Sequence, residues 1–306
     1  MKITNSEKND ILLNIKEEIS EEELDSRLKK ESEHGRLEGG EQCFRKDYPW
    51  YRLNIGYTNP LNFGEVHAEL ELIKKHIRES NSDKILTAIK GNHLVFYGIG
   101  VGDTEIAFVD WVVKKGQKVT YLTGIDVNKD FLSNFVVALK NRTFEPDEPT
   151  FFFQPKNTLF EKLLRENLKV RNLKNVHICL GGTIGNFYNQ EKLFELFSNL
   201  SENGEYLILG FQLDNNLNWI FKKYESNPLF PSFVLNYLPP EKRKLKWSVK
   251  EETGMITAVH NSVEVFRTTK YNSERLKKLV EKHGFKFVYE DVDEYKNSCL
   301  HVYLKI

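Results

Sequence analysis

The chain has 306 residues, with 44 Lys+Arg against 44 Asp+Glu, so its formal charge is zero. Hydrophobic residues make up 40% and aromatic residues 12%, which excludes a disordered chain and describes a globular protein with ample core. Neutral charge also argues against nucleic acid as a partner, because phosphate binding draws on a basic excess.

The basic run Glu241–Trp247 is short and reads as a solvated face. The N-terminus has no apolar signal region, and no apolar run approaches the ~20 residues that span a bilayer. The expected location is the cytoplasm. Cys43, Cys179 and Cys299 are far apart and form no CxxC, which suits a reducing compartment. The histidines are scattered without metal-ligand spacing, so no metal is expected.

Residues 1–75 are expected to form an arm and part of a substrate lobe. Ser20 with Glu23 is a capping box. Tyr48–Leu61 is aromatic and broken by Pro49, Gly56 and Pro60. Val66, Leu70, Ile73 and Ile77 recur at helical spacing.

Residues 76–213 alternate strand and helix. His93–Tyr97, Lys118–Ile125, Phe151–Phe153, Val176–Leu180 and Tyr206–Phe211 are apolar runs of strand length. Between them lie helical patterns after Gly102, over Lys129–Lys140 with Asn128 as cap, from Asn157 through Leu168, and around Leu193–Leu200. Near-continuous apolar strands alternating with helices predict an α/β, Rossmann-like sheet with helices on both faces. Residues 214–269 are an insertion containing Pro228, Pro231, Pro239 and Pro240, with one half-exposed strand expected over Met255–Thr269. It is expected to complete a smaller α+β substrate lobe. Residues 270–306 close the core with a helix capped by Ser273 and ended by Gly284, then a strand hairpin.

Gly98, Gly100 and Gly102 fall between a strand and a helix, where backbone can approach a ligand closely. Asp126 ends the next strand, 28 residues after Gly98, where a carboxylate can accept both ribose hydroxyls of an adenosine. Two cofactors compete for this pattern. A dinucleotide site wants a third small residue where Asp103 stands, and a pyrophosphate would be repelled there. S-adenosylmethionine (SAM) carries no phosphate, and its cationic groups favour nearby negative charge. The methyl donor is favoured, and a closing antiparallel hairpin suits the methyltransferase sheet.

Gly181-Gly182-Thr183-Ile184-Gly185-Asn186-Phe187 follows the fourth strand, at the end of the sheet where open α/β folds bind ligands. Asn186 offers both donor and acceptor, though it can equally serve as a turn former or helix cap.

With these motifs the sequence resembles the SAM-dependent histidine-specific methyltransferases, whose "GSTIGN" segment matches GGTIGNF. YGIGVG is similar to the family's cofactor loop and GIDVN to its "VDVS". EYLILGFQLD and FRTTKYNSERLKKLVEKHGF are similar to its later segments. The resemblance covers about residues 90–306. It implies that Gly98, Gly100, Gly102 and Gly181 line the cofactor, that Asp126 holds its ribose, and that Asn186 binds the amine and carboxylate region of an amino acid. It further implies substrate contacts from Tyr57 and Tyr224. Asn186 and Tyr224 are the expected catalytic positions.

Some positions depart from the family. Phe266 stands where the family has a Glu for the imidazole, and Thr268 where it has a Ser. Thr104 replaces a Lys in the cofactor helix, and Gln154-Pro155 replaces an Asp-Phe, with Gln154 able to read the adenine amine. A Phe cannot accept an imidazole N–H, which argues against histidine itself. The expected activity is SAM-dependent N-methylation of an amino acid or related small amine, by a monomer or weak homodimer. The competing readings are a non-catalytic binding protein of the same fold and a nicotinamide-dependent oxidoreductase.

Overall fold

The structure is a computed structural model. It describes residues 73–306 apart from 81, 101, 120, 127–128, 141–151, 158–161, 171, 182, 188, 229, 232–234 and 236–239. The expected Ser20 helix, the Tyr48–Leu61 segment with Tyr57, and the Asn128 cap lie outside the described residues.

Five parallel strands form the centre of a seven-stranded sheet: β1 (His93–Tyr97), β2 (Tyr121–Asp126), β3 (Phe152–Asn157), β4 (Asn175–Cys179) and β5 (Tyr206–Gln212). The closing hairpin, β9 (Phe285–Val292) and β10 (Ser298–Lys305), completes it. The order is β3-β2-β1-β4-β5-β10-β9, with β10 antiparallel to β5. Alternation along the strands divides the core into two layers. Leu94 and Phe96 pack with helices α1 (Asp83–Ile89), α2 (Asp103–Lys114) and α3 (Lys129–Lys140). Val95 and Tyr97 pack with α5 (Gln190–Leu200) and α7 (Ser273–Glu281) on the other face. A sheet covered on both sides needs apolar residues at every position, and β1 is buried throughout.

Side-chain caps fix the helix starts. Ser82 accepts from the Ile85 N–H, Asn189 from Lys192 and Asn272 from Arg275. The final helix is thus capped by Asn272 and not by Ser273, its first residue. Two further expectations are corrected. Asn157 is the last residue of β3 and not a helix cap. Leu163 is buried while Leu164 is exposed, and among the described residues that follow β3 the expected helix is replaced by a 3-10 turn over Arg165–Leu168. Met255–Thr269 is not one strand but a hairpin, β7 (Met255–His260) and β8 (Val263–Thr269). With β6 (Lys246–Lys250) it forms a separate three-stranded antiparallel sheet, in the order β6-β7-β8.

A polar thread runs through the core below the site. Glu205 accepts from the N–H of Asn175 (2.8 Å) and of Glu202 (2.8 Å), and lies 3.2 Å from His177 Nε2. His177 Nδ1 is 2.7 Å from the Tyr97 hydroxyl. Burial alone would raise the Glu205 pKa, but these hydrogen bonds outweigh it and hold the carboxyl below its ordinary value. A depressed carboxylate pKa contributes stability that is present above the unfolded value and lost as pH falls through the folded one. Glu205→Ala is therefore expected to destabilise the protein by about 3 kcal/mol at pH 7, and by less in acid, since three donors lose their acceptor. Denaturant titration at pH 7 and pH 4 checks this; equal losses at both would contradict it.

Candidate cofactor and acceptor site

β1 lies between β2 and β4, so the chain leaves β1 to one side and β4 to the other. Ligands of open α/β sheets bind at the carboxyl ends of strands at such a reversal. The glycine loop follows β1 at that point, and the GGTIGN segment follows β4. The latter forms one helical turn, α4 (Thr183–Asn186).

The two segments touch. Gly98 has φ +65°, and a β-carbon there would lie 2.6 Å from Thr183 Cγ2. Only glycine allows both that backbone and that approach. The Thr183 hydroxyl donates to the Gly98 carbonyl at 3.3 Å. Gly102 is buried, and a β-carbon there would lie 2.7 Å from Phe135 Cδ2, so this position lets α2 seat against α3.

Asp126 ends β2 and is 2% exposed, with its Oδ2 accepting the Gly100 N–H at 2.9 Å. The loop thereby orients the carboxylate. These residues fit the methyl donor: an anchored acidic group for ribose hydroxyls stands beside a loop whose backbone is open to close approach. Asp103, the first residue of α2, is exposed and 3.7 Å from Lys74 Nζ.

Glu105, on the first turn of α2, is 3% exposed. Burial raises its pKa well above the ordinary range. Its own backbone N–H opposes this, while Asp103 and Asp126 add to the rise.

On the other side of α4 stands the small sheet. A β-carbon on Gly185 would lie 2.5 Å from the Thr269 carbonyl oxygen, so α4 rests directly on the end of β8. The Tyr271 hydroxyl donates to the Ile184 carbonyl at 2.8 Å. Trp247, Ala258 and Phe266 form one row across the three strands. Alternation puts Thr268 on the same face as Phe266.

Helix α6 (Leu217–Ser226) brings Tyr224 to this face. The Tyr224 ring lies 5.6 Å from Phe266 and 5.4 Å from Phe230, and Phe230 lies 5.0 Å from Trp247. Aromatic packing at these separations makes a rigid wall.

The expected site residues fall into two groups. Gly98, Gly100, Gly102, Asp126, Gly181 and Asn186 gather at the strand reversal, with Asn186 half-buried. Tyr224 and Thr268 are buried in the lobe, at 4% and 2% exposure. Gln154 lies on β3, paired with Thr123, and its side chain is outside the described residues. Tyr57 is outside them altogether.

Three residues escaped the sequence reading: Glu105, Gln212 and Lys270. Gln212 ends β5, and its Oε1 is buried without a hydrogen-bond partner among the described residues. Its place at a strand's carboxyl end was the available signal. Among the described residues no helix is long and apolar enough to cross a membrane.

An antiparallel-closed α/β sheet with a buried carboxylate and a glycine loop at its reversal is the arrangement of a SAM-dependent methyltransferase. The sequence model of the family described as histidine-specific, SAM-dependent methyltransferases matches residues 61–264, more than half of the chain. The chain belongs to that family, and its cofactor is S-adenosylmethionine.

A solved structure shares the fold. A SAM-dependent methyltransferase from Clostridium acetobutylicum is 9% identical, with TM-score 0.50 over 83% of this chain and 98% of that one. Another from Methanosarcina mazei is 13% identical, with TM-score 0.46 over 74% and 98%. None of the curated proteins compared with the sequence matches it.

Proposed function

We propose that this methyltransferase acts on the amine nitrogen of an amino acid or related small amine, with the three-stranded sheet, α6 and the N-terminal segment serving as its acceptor lobe. The observation that carries the reading is the joint at α4. One side of that single turn touches the cofactor loop, through Thr183 and Gly98. The other rests on β8, through Gly185 and Thr269. Asn186, at the end of the turn, therefore stands between donor and lobe.

The cofactor supplies a methyl group on a sulfonium that is already an activated leaving group. An ammonium acceptor would first lose a proton to water, and the nitrogen lone pair would then form the N–CH3 bond as the S–CH3 bond breaks, leaving S-adenosylhomocysteine. The protein's part is to hold a neutral amine in line. Orientation of this kind contributes on the order of 7–11 kcal/mol. Asn186 and Tyr224 are the positioning residues in this reading. Gly98, Gly100, Gly181 and Asp126 hold the cofactor, and Gly102 supports their loop. Phe266 and Trp247 offer the acceptor an apolar wall where histidine would need a hydrogen-bond acceptor, so the reading turns away from histidine itself.

Incubation with isotope-labelled methyl donor and a panel of amino acids and amines, read by mass, tests the proposal. A methylated amine product is expected. Methylation confined to oxygen, sulfur or carbon acceptors would refute it. Asn186→Ala is expected to lower kcat/KM by about 100-fold, the size of a misplaced reactant, with S-adenosylhomocysteine affinity kept. An equal loss of cofactor affinity would move Asn186 to the cofactor side.

A further inference from the structure

The closing hairpin carries a second cluster of reactive groups, outside the cofactor loop and the lobe. Cys299 and His301 are two apart on β10, so alternation puts both on one face, and Glu290 stands opposite His301 on β9. Cys299 and His301 are fully enclosed, whereas the Glu290 side chain is 36% exposed. One ligating atom of each lies within 4.8 Å of the others. Motif spacing misses the set because its third member comes from the neighbouring strand.

The hydrogen bonding there is crowded. Glu290 Oε1 is 3.0 Å from His301 Nε2 and 3.6 Å from Cys299 Sγ, and it also accepts from the Ser273 hydroxyl at the start of α7. A carboxylate oxygen offers about two lone pairs, and three groups converge on this one. Sulfur, imidazole nitrogen and carboxylate oxygen together suit a borderline dication, while calcium and magnesium take oxygen ligands. Zinc bonds of about 2.0–2.3 Å set tetrahedral ligand atoms about 3.3–3.8 Å apart. The 3.0 and 3.6 Å separations are close to that spacing.

The surrounding contacts are those that orient a metal-binding imidazole. His301 Nδ1 is 2.6 Å from the Tyr303 hydroxyl, a partner that can leave Nε2 free toward the cluster. The rings of Phe211 and Phe287 stand edge-on to the imidazole at 4.8 and 5.3 Å and fix its plane. The exposed side of Glu290 gives an ion a way in.

We propose that Cys299, His301 and Glu290 bind a zinc ion, with water in the fourth position and Ser273 hydrogen-bonded to the carboxylate. Burial first, and then the Glu290 carboxylate, push the Cys299 thiol up, so the thiol keeps its proton until a dication arrives and inverts that balance. Binding releases this proton to water. The imidazole proton then sits on Nδ1, with the Tyr303 oxygen accepting it. The ion joins β9 to β10 and, through Ser273, to the start of α7. Tyr271, two residues before Ser273, donates its hydroxyl to Ile184, so the site steadies the support on which α4 rests.

The test uses the full chain, free of any affinity tag and stripped of metal. Zinc is titrated in competition with a chromophoric chelator, and cobalt(II) serves as the spectroscopic probe. One zinc per chain is expected, and cobalt should give a thiolate-to-metal charge-transfer band. Cys299→Ser is expected to abolish the band and weaken zinc binding by about 100-fold or more, since even outer partners of a metal site are worth about 10–100-fold. Glu290→Gln should keep the band and bind zinc about tenfold more weakly or worse. Cys43→Ser should change neither. Zinc at about 100 times its Kd should raise the wild-type Tm by about 5 °C, and that of Cys299→Ser by about 1 °C or less.

A wild type without the charge-transfer band overturns the proposal, as does a band that survives Cys299→Ser or vanishes with Cys43→Ser. Zinc affinity within about threefold of wild type in Glu290→Gln removes the carboxylate from the site and overturns it too. Serine keeps a hydroxyl beside Glu290, so stripped Cys299→Ser is expected to unfold cooperatively; if it does not, the Glu290→Gln affinity decides.

Discussion

Asp126→Ala is expected to weaken S-adenosylhomocysteine binding by about 100-fold or more, while the protein still unfolds cooperatively. Each hydrogen bond between a hydroxyl and a charged carboxylate contributes about 1.5–3 kcal/mol, and two ribose hydroxyls double the loss. The substitution also strips the Gly100 N–H of its acceptor, so some stability goes with it, on the order of 1–3 kcal/mol. Asp126→Asn separates the two effects. An asparagine oxygen can keep the Gly100 bond, so stability should return while affinity stays low. Calorimetry and thermal melting on both variants decide it. Full affinity in Asp126→Ala would place the ribose elsewhere and remove the main reason for reading this corner as the adenosine site.

The strands of the core were legible because burial on both faces leaves an unbroken apolar run. His93–Tyr97 and Tyr206–Phe211 read as strands for that reason and are strands. The helix expected after Asn157 failed on a different ground. Leu159, Leu163, Leu164 and Leu168 have helical spacing, yet Leu164 is 62% exposed, and Pro155 lies inside β3 just upstream. Leucine spacing alone does not say which tertiary surface receives it.

The β7–β8 hairpin was missed because its turn lacks a glycine. Asn261 and Ser262 both have positive φ, +48° and +69°, the geometry of a tight two-residue hairpin turn. Asn at the first place was a usable signal; Ser at the second hid it.

At the site, the residues sitting in motifs were legible and the buried polar ones were not. Gly98, Asp126 and Asn186 announce themselves by spacing after strands. Nothing in the sequence sets Lys270 and Glu105 apart from the other charged residues of a 29% charged chain. Only the packing of Gly185 on Thr269, and of Tyr224 over β8, shows that Lys270 is enclosed.

Gly185→Ala is expected to lower kcat/KM by about 100-fold while S-adenosylhomocysteine affinity changes by less than about threefold. The added carbon would sit 2.5 Å from the Thr269 carbonyl oxygen, and the obstacle is backbone, so no side chain can turn aside. Either α4 or the end of β8 must shift, at about 1–3 kcal/mol of stability.

In the proposed function the shift falls between donor and acceptor. Thr183 and Gly98 are on the cofactor side of α4, and their hydrogen bond does not involve the added carbon. Thr268 and Lys270 flank Thr269 on the lobe side and would move with it. Donor binding and acceptor binding should therefore each survive, while the alignment between them fails, so the loss appears in kcat more than in KM.

Combining Gly185→Ala with Asn186→Ala should cost little beyond the larger single effect, because both act on the same alignment. Losses that multiply would show that Asn186 and the α4–β8 contact act on separate steps. A Gly185→Ala protein of normal turnover would mean that the lobe follows α4 as a unit, and that the joint does not set the distance between amine and methyl.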